Sequence, residues 1–289
     1  MRLKTYRDVH AFYRDTADVL MQHEAQNLIP LGNLIIGCEG KDKTGWRDPA
    51  NWLMAVVSDG EGVRLTALMT PPHNLTLYAT DNQTDDAALA CLIEGIAATD
   101  FTVGGVMTEK SLAGRFARMH AEARGMSCEI TCSQRIYELT RVNPEIHSAG
   151  ALRLARESDM AFLPYWMAGF NQDAHGGPPT PPDAETGRYM IDGGRLYILE
   201  DGETPVSFAR INREVKTLCG VGPVYTPPYF RNRGYATACV AGVSRLILER
   251  GFAKCVLYTD LANPTSNSIY QKIGYRPLCD SVEIRFVAS

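Results

Sequence analysis

The stretch Val221-Gly-Pro-Val-Tyr-Thr-Pro-Pro-Tyr-Phe-Arg-Asn-Arg-Gly-Tyr-Ala236 decides the fold. An apolar, strand-like run over residues 218–225 breaks at Pro227-Pro228. A short loop with Arg231, Arg233 and Gly234 follows, and then a helical pattern over residues 235–249. Strand, Arg/Gly loop and helix make the layout of an anion site. The first N–H groups of a helix have no partner inside it, and the helix dipole favours negative charge there. Gly234 allows a positive φ or close backbone approach, and the two arginines can form charge-assisted bonds to phosphate. No acid lies between Thr226 and Ala241. Taken alone, the stretch also fits a tight strand–helix turn whose arginines are merely solvated.

A strand pattern over residues 253–259 leads into Asp260-Leu-Ala-Asn-Pro-Thr-Ser-Asn-Ser-Ile-Tyr-Gln-Lys-Ile-Gly-Tyr275. Asn263-Pro264 starts a short helix there and Gly274 ends it. The two stretches, in this order and spacing, resemble the acyl-CoA-binding half of the GNAT superfamily of N-acetyltransferases. The family's pyrophosphate motif, Q/R-x-x-G-x-G/A, is matched by Arg231, Gly234 and Ala236. Its later motif is matched by Asn263, Ser266, Asn267, Tyr270, Gly274 and Tyr275. The resemblance covers residues 150–289. It implies a mixed α/β (α+β) fold with a mostly antiparallel central sheet flanked by helices, the acyl-CoA N-acyltransferase fold.

With 289 residues the chain exceeds one average domain. Its 45% hydrophobic and 21% charged content is that of a soluble globular protein. A net charge of −4 gives no reason to expect nucleic acid. No apolar run approaches the ~18–20 residues of a membrane span. The first residues, MRLKTYRDVHAFYRD, carry charges where a signal peptide needs an apolar core, so a cytoplasmic protein is expected, as monomer or homodimer. Eight cysteines in a chain this long suggest buried thiols rather than a disulfide framework. Only Cys128 and Cys132 are close together, and six histidines lack ligand spacing, so no metal is expected.

In the first half, helical patterns cover residues 6–21, 24–36, 85–98 and 111–124. Strand patterns cover residues 52–57, 63–69, 75–79, 103–107 and 128–141. Residues 141–150 (RVNPEIHSAG) read as a linker. The second half opens with a strand at 152–155. Helices follow at 159–170 and 183–190, a hairpin at 196–199 and 205–211, and a strand at 216–225. Helix, strand, helix and a last strand at 281–287 complete it. Apart from that leading strand, both halves show the order α-α-β-β-β-α-β-α-β. The sequence therefore predicts two tandem copies: residues 1–142, a linker at 143–150, and residues 151–289 as the catalytic domain. In the first copy the counterpart of the phosphate loop, residues 78–86, has no arginine or glycine and carries Asp81, Asp85 and Asp86. Those carboxylates suit a helix start but repel pyrophosphate. The first copy is expected to be degenerate, without a CoA site, supporting the second copy and walling one side of the substrate cleft.

The resemblance implies acetyl-CoA as co-substrate and a primary amine, small molecule or peptide, as acceptor, with direct transfer in a ternary complex. It implies that the backbone of Val224, Tyr225 and Thr226 pairs with the pantetheine arm. Arg231, Asn232, Arg233, Gly234, Tyr235, Ala236 and Thr237 bind the pyrophosphate, and Asn263 and Asn267 contact the cofactor. Tyr270 matches the family's general acid, since a phenol near pKa 10 is protonated at neutral pH and can donate to a thiolate. The plain alternatives are a core aromatic for Tyr270, and capping chemistry for the two asparagines. No general base can be named, because Glu214 lies in a turn before the strand. Cys219 reads as a buried strand thiol rather than an acyl carrier. Phe162, Tyr165, Trp166 and Phe170 belong to core or cleft, and the Pro/Gly-rich loop at 175–182 to a shaped rim. A non-catalytic acyl-CoA-binding or sensing protein is the alternative function.

Overall fold

The structure is a computed structural model that describes residues 1–40, 45–80, 86–147, 149–176 and 181–288. In chain order the first half contains β1 (Arg2–Tyr6), α1 (Val9–Met21), α2 (Leu28–Glu39), β2 (Leu53–Ser58), β3 (Val63–Met69), β4 (Leu75–Ala79), α3 (Asp86–Ala97), β5 (Gly105–Glu109), α4 (Lys110–Arg124) and β6 (Met126–Leu139). The second contains β7 (Ala151–Leu154), α5 (Leu163–His175), α6 (Ala184–Asp192), β8 (Leu196–Asp201), β9 (Thr204–Glu214), β10 (Leu218–Tyr225), α7 (Tyr235–Glu249), β11 (Lys254–Asp260), α8 (Pro264–Ile273) and β12 (Arg276–Ala288). The same ten-element series runs twice.

Two local readings need correction. The sequence pattern began a helix at residue 6 and showed no strand before it. The helix starts at Val9, with the Asp8 carboxylate accepting from the His10 N–H. Residues Arg2–Tyr6 form β1, antiparallel to β2 from Arg2↔Ser58 to Tyr6↔Met54. Five mostly exposed residues carry little periodicity, and β1 exists because β2 offers its backbone edge. In the second half, the helix expected over 159–170 is a 3₁₀ turn (Glu157–Ala161) followed by α5. Pro164 sits at the start of α5, where its missing N–H costs no helical bond.

The chain packs as two compact units. Unit 1 is Met1–Ile136 with Asp260–Ala262 and Leu278–Ser289, and unit 2 is Tyr137–Thr259 with Asn263–Pro277. The sequence reading carried the second domain through to residue 289. Packing assigns the last strand to unit 1 instead.

In unit 1 the strands follow the order β1-β2-β3-β4-β5-β12-β6. Neighbours β1 to β4 are antiparallel, and β4 runs parallel to β5. Strand β12 pairs antiparallel with β5 from Ser281↔Glu109 to Arg285↔Gly105. Its alternate residues Val282, Ile284 and Phe286 turn inward onto the core formed with Leu92, Ile96, Phe116 and their neighbours from α3 and α4. Gly105 is required by that pairing. A Cβ there would lie 2.6 Å from the Ile284 carbonyl oxygen.

In unit 2 the order is β11-β10-β9-β8-β7, and the last residues of β6 lie beside β11. Lys254 on β11 bonds Glu138 on β6 at 2.7 Å. Helix α7 buries Ala238, Cys239, Val240, Ala241, Val243 and Ile247 against this sheet. The stretch expected as a linker is tied down in unit 2. Val142 is buried in the core, the Asn143 N–H donates to the Ile273 carbonyl at the end of α8 (2.8 Å), and Arg245 of α7 donates to the Ile146 carbonyl. The Ile273 carbonyl and the Arg245 side chain belong to α8 and α7, which only the fold brings to residues 141–150.

Two outcomes follow for unit 1. Ile284→Ala should lower its stability by about 2–5 kcal/mol, the usual cost of emptying a buried aliphatic site. Urea unfolding would show this as a lower midpoint, with amide-exchange protection lost first in β4 and β5. His120 is buried between Phe116 and Phe286, and burial, assisted by the Arg124 charge, holds its pKa below the ordinary 6.5. The unfolded chain therefore takes up this proton at a higher pH than the folded one. The stabilisation is present above pH 6.5 and is lost as pH falls below it. Calorimetric melting at about pH 7.5 and about pH 5.5 should show a larger acid-induced drop for the wild type than for His120→Phe.

Candidate active site

The site is built where β10 leaves β11. The two strands pair in parallel at Leu218↔Lys254, Cys219↔Cys255 and Gly220↔Val256. Beyond Gly220, β10 continues along β9 alone, at Val221↔Ile211, Val224↔Ala209 and Tyr225↔Phe208, with irregularities on both sides of Val221. Gly222-Pro223 lies in this segment, Gly222 at φ +142°. A proline has no N–H for a ladder, and within a sheet it is confined to edges and bulges. Gly222-Pro223 thus lies in the part of β10 that has left β11, and that departure leaves an edge of backbone groups beside Val224, Tyr225 and Thr226.

The end of β10 is locked in place. Ser207 donates to the Tyr225 carbonyl at 2.9 Å, and its hydroxyl lies 2.8 Å from that of Thr226. The Tyr225 ring packs with Trp166 and Phe208, and its hydroxyl stands 2.2 Å from where a Cβ at Gly169 would be. Gly169 therefore admits Tyr225 against α5. Burial foremost, and then the Asp173 carboxylate, raises the Tyr225 pKa above its ordinary value.

A 3₁₀ turn (Pro228–Phe230) carries the chain round to Arg231. Asn232 at φ +62° and Gly234 at φ +81° both adopt the left-handed conformation. Turns of this kind align successive N–H groups into an anion-binding concavity. Gly234 is the N-cap of α7 and supplies no side-chain cap. Ala238 bonds the Gly234 carbonyl at 3.0 Å, so the N–H groups of Tyr235, Ala236 and Thr237 precede the helical ladder. A Cβ at Gly234 would meet nothing within 4 Å, leaving room for a guest over the helix start.

The arginines are less exclusively anion-seeking than the local sequence implies. Arg231 bonds the Thr226 carbonyl through Nε at 2.9 Å, pairs with Asp173 of α5, and lies 5.8 Å from the centre of the Tyr225 ring. Tyr235 donates to Asp201 at the end of β8, and its hydroxyl also meets Arg233. The absence of acid between Thr226 and Ala241 therefore does not describe the folded site. Asp173 and Asp201 lie 58 and 34 residues away from their partners, and no local pattern announces them.

Asn263 caps α8, its side chain accepting from the Ser266 N–H at 3.0 Å. Asn267 donates to the Asn263 carbonyl at 2.8 Å and accepts from the Tyr137 hydroxyl at 3.0 Å. Asn263 thus serves as a cap, and Asn267 ties the start of α8 to Tyr137. Tyr270 is buried in the unit 2 core, near Tyr137 and edge-on to Tyr275. Burial foremost pushes its phenol up to about 12, against a smaller opposing effect of its hydrogen bond with Ser266. It is fully protonated at neutral pH, as a proton donor must be.

Cys219 is buried in β10, and burial foremost pushes its thiol up to about 12, which makes it a poor nucleophile. Glu214 is held by Arg250 at 2.7 Å and Arg195 at 3.2 Å. Trp166 is buried, Phe162 and Phe170 pack partly against it, and Tyr165 is exposed. Residues 177–180 of the loop at 175–182, and Asp81 and Asp85 of the first copy, lie outside the described residues. Asp86 starts α3 and pairs with Arg115 at 2.7 Å. Among the described residues no cluster of His, Cys, Asp or Glu could hold a metal ion, and no helix is long and apolar enough to cross a membrane.

Comparison with known proteins agrees with this arrangement. Residues 209–284, from β9 into β12, match the family model described as FR47-like protein. No curated protein matches the chain. Among solved structures, the chain is similar to a Drosophila protein (TM-score 0.68, 13% identity, 99% of this chain and 98% of that one). It is also similar to a tandem GNAT protein from the clavulanic acid biosynthesis pathway (0.59, 10%, 100% and 99%). A GNAT-family acetyltransferase from Colwellia psychrerythraea aligns as well (0.58, 10%, 99% and 99%). At these identities the likeness is one of fold, and it extends over the whole chain. The chain has the fold of the GNAT-family structures it aligns with, and the FR47-like match lies in the second of its two series of elements.

Proposed function

We propose that unit 2 binds acetyl-CoA and transfers its acetyl group directly to a primary amine. One observation carries this reading: the parting of β10 from β11 after Gly220, running straight into the left-handed turn at Asn232 and Gly234 and the uncapped start of α7. The freed edge at Val224, Tyr225 and Thr226 offers backbone bonds to an extended, amide-bearing chain such as pantetheine. The N–H groups from Asn232 to Thr237 receive a pyrophosphate at the positive end of the helix. Arg231, oriented by Asp173 and Thr226, adds charge at one side.

The chemical step needs little more. The neutral amine attacks the thioester carbonyl, whose oxygen is polarised by a backbone N–H of the freed edge. The N–C bond forms and the C–S bond breaks. Tyr270 protonates the departing thiolate, and the proton lost by nitrogen returns to the phenol through water. A phenol raised to about 12 holds its proton until this moment. Unit 1 carries the degenerate copy and in this reading binds no CoA. One observation favours the second reading, a protein that binds acyl-CoA without turnover: Tyr270 is only 9% exposed and already bonded to Ser266.

Calorimetric titration should find one acetyl-CoA per chain. Gly234→Glu should abolish that binding while leaving the fold intact, because a carboxylate in the open space over the helix start repels phosphate. Unchanged affinity would remove the turn from the cofactor site. Tyr270→Phe should lower turnover by about 10²–10⁴-fold with little change in cofactor affinity. A fully active Phe variant would return Tyr270 to the core. Tight acetyl-CoA binding without CoA release from any amine in a broad panel would favour the non-catalytic reading.

A further inference from the structure

Strand β9 places two arginines and an asparagine where a core strand ordinarily carries apolar residues. Its first part is ordinary, with Val206, Phe208, Ala209 and Ile211 buried. Arg210, Asn212 and Arg213 interrupt that pattern. The register with β10 explains how they fit. From Val221↔Ile211 to Cys219↔Glu214, β9 uses three steps where β10 uses two. The extra residue on β9 is a bulge, and bulges re-aim side chains.

Three elements meet around these residues. The Arg210 guanidinium lies 5.1 Å from the centre of the Tyr189 ring on α6, and one of its terminal nitrogens is 3.6 Å from where a Cβ at Gly193 would be. The Arg210 Nε is buried without a hydrogen-bond partner, and among the described residues Arg210 forms no ion pair. The Asn212 Oδ1 is likewise buried and unsatisfied, and its Nδ2 lies 3.9 Å from where a Cβ at Gly222 would be. Arg213 feels the charges of Arg210, Tyr189 and Tyr258, and burial foremost lowers its pKa. Tyr258 is two residues past Val256, the last partner of β10 on β11. The cluster lies on β9 beside the segment of β10 that has left β11.

A guanidinium N–H and an amide carbonyl oxygen buried without partners are costly in the free protein. Their donor and acceptor types describe what would relieve them. The Arg210 guanidinium fork suits a carboxylate, and the Asn212 oxygen suits an N–H. We propose that Arg210 binds a carboxylate of the acceptor while Asn212 accepts from its amine, making the acceptor an amino acid or a closely similar amine that carries an anionic group. This rests on the acetyl-transfer reading for the identity of the reacting nitrogen, though not for the anion site itself.

The test uses matched pairs of amino acids and their amides as acceptors, with acetyl-CoA held constant and CoA release followed. The acids should be turned over about 10²-fold or more faster than the amides, because a site built for hydrogen bonding rejects an analogue that leaves it unpaired. Arg210→Gln should raise KM for the acids, leave acetyl-CoA affinity unchanged, and collapse the acid-to-amide ratio. Arg210→Lys should keep part of it. Amides used as well as acids, or an unchanged ratio in Arg210→Gln, would overturn the proposal. A second measurement is independent of turnover: melting of the protein with N-acetyl amino acids against their amides. Stabilisation by the acids alone, lost in Arg210→Gln, supports the site, and equal effects overturn it. If the acids stabilise the protein while acetyl-CoA fails to bind, acetyl transfer falls and the anion site stands.

Discussion

The constraint on which the rest of unit 2 depends is the failure of β10 to stay paired with β11 beyond Gly220. Backbone N–H and C=O groups are almost always satisfied, so a strand that leaves its neighbour inside a sheet needs a cause. The composition of β10 is compatible with the departure. Gly222-Pro223 sits at the irregularity, and a proline cannot donate to a ladder. Everything assigned to the cofactor lies downstream of this point. The edge at Val224 to Thr226, the turn through Asn232 and Gly234, and the start of α7 follow without interruption. The β9 cluster lies beside the same opening, at the bulge between Ile211 and Glu214.

Rigid packing then holds the freed edge still. Tyr225 is pinned by Ser207 behind, by the rings of Trp166 and Phe208, and by α5, which approaches closely only because position 169 is glycine. Arg231 is fixed at both ends of its guanidinium rather than waving in solvent. A binding edge held in this way loses little conformational freedom when a ligand arrives, which favours affinity. The pairing with Asp173 also moderates the positive field over the turn, so in the proposed site the helix start and its backbone N–H groups carry more of the recognition of phosphate than Arg231 does.

The two units divide the chain in a way that its linear order conceals. The tenth element of the second series, β12, completes unit 1, where Val282, Ile284 and Phe286 fill the core and Gly105 makes room for the Ile284 carbonyl. The residues at the end of the first series, Tyr137 and Leu139, are core residues of unit 2. Tyr137 also bonds Asn267 and Gln271 of α8, the helix that carries Tyr270. A residue of the first series therefore helps position the proposed acid.

Much of this was legible in the sequence. The strand–loop–helix around Gly234, the cap at Asn263, the end of α8 at Gly274 and the bounds of β3, β4 and α7 follow from local rules: Pro and Gly positions, caps and the period of apolar residues. The duplicated order of elements follows from the same rules. What they missed depends on residues far apart in the chain. Strand β1 forms because β2 offers an edge, and β12 joins unit 1 because its inward residues fit that core. Asp173 and Asp201 reach the turn from α5 and β8, and the stretch read as a linker is held by α7 and α8. Arg210, Asn212 and Arg213 did leave a signal, three polar residues in an apolar strand, but its meaning required the bulge and the opening beside it. Local conformation is decided by each residue's own stereochemistry and near neighbours, so sequence determines it. Charge partners, strand exchange and the company of a buried polar group are decided by which surfaces meet, and only the tertiary structure settles those.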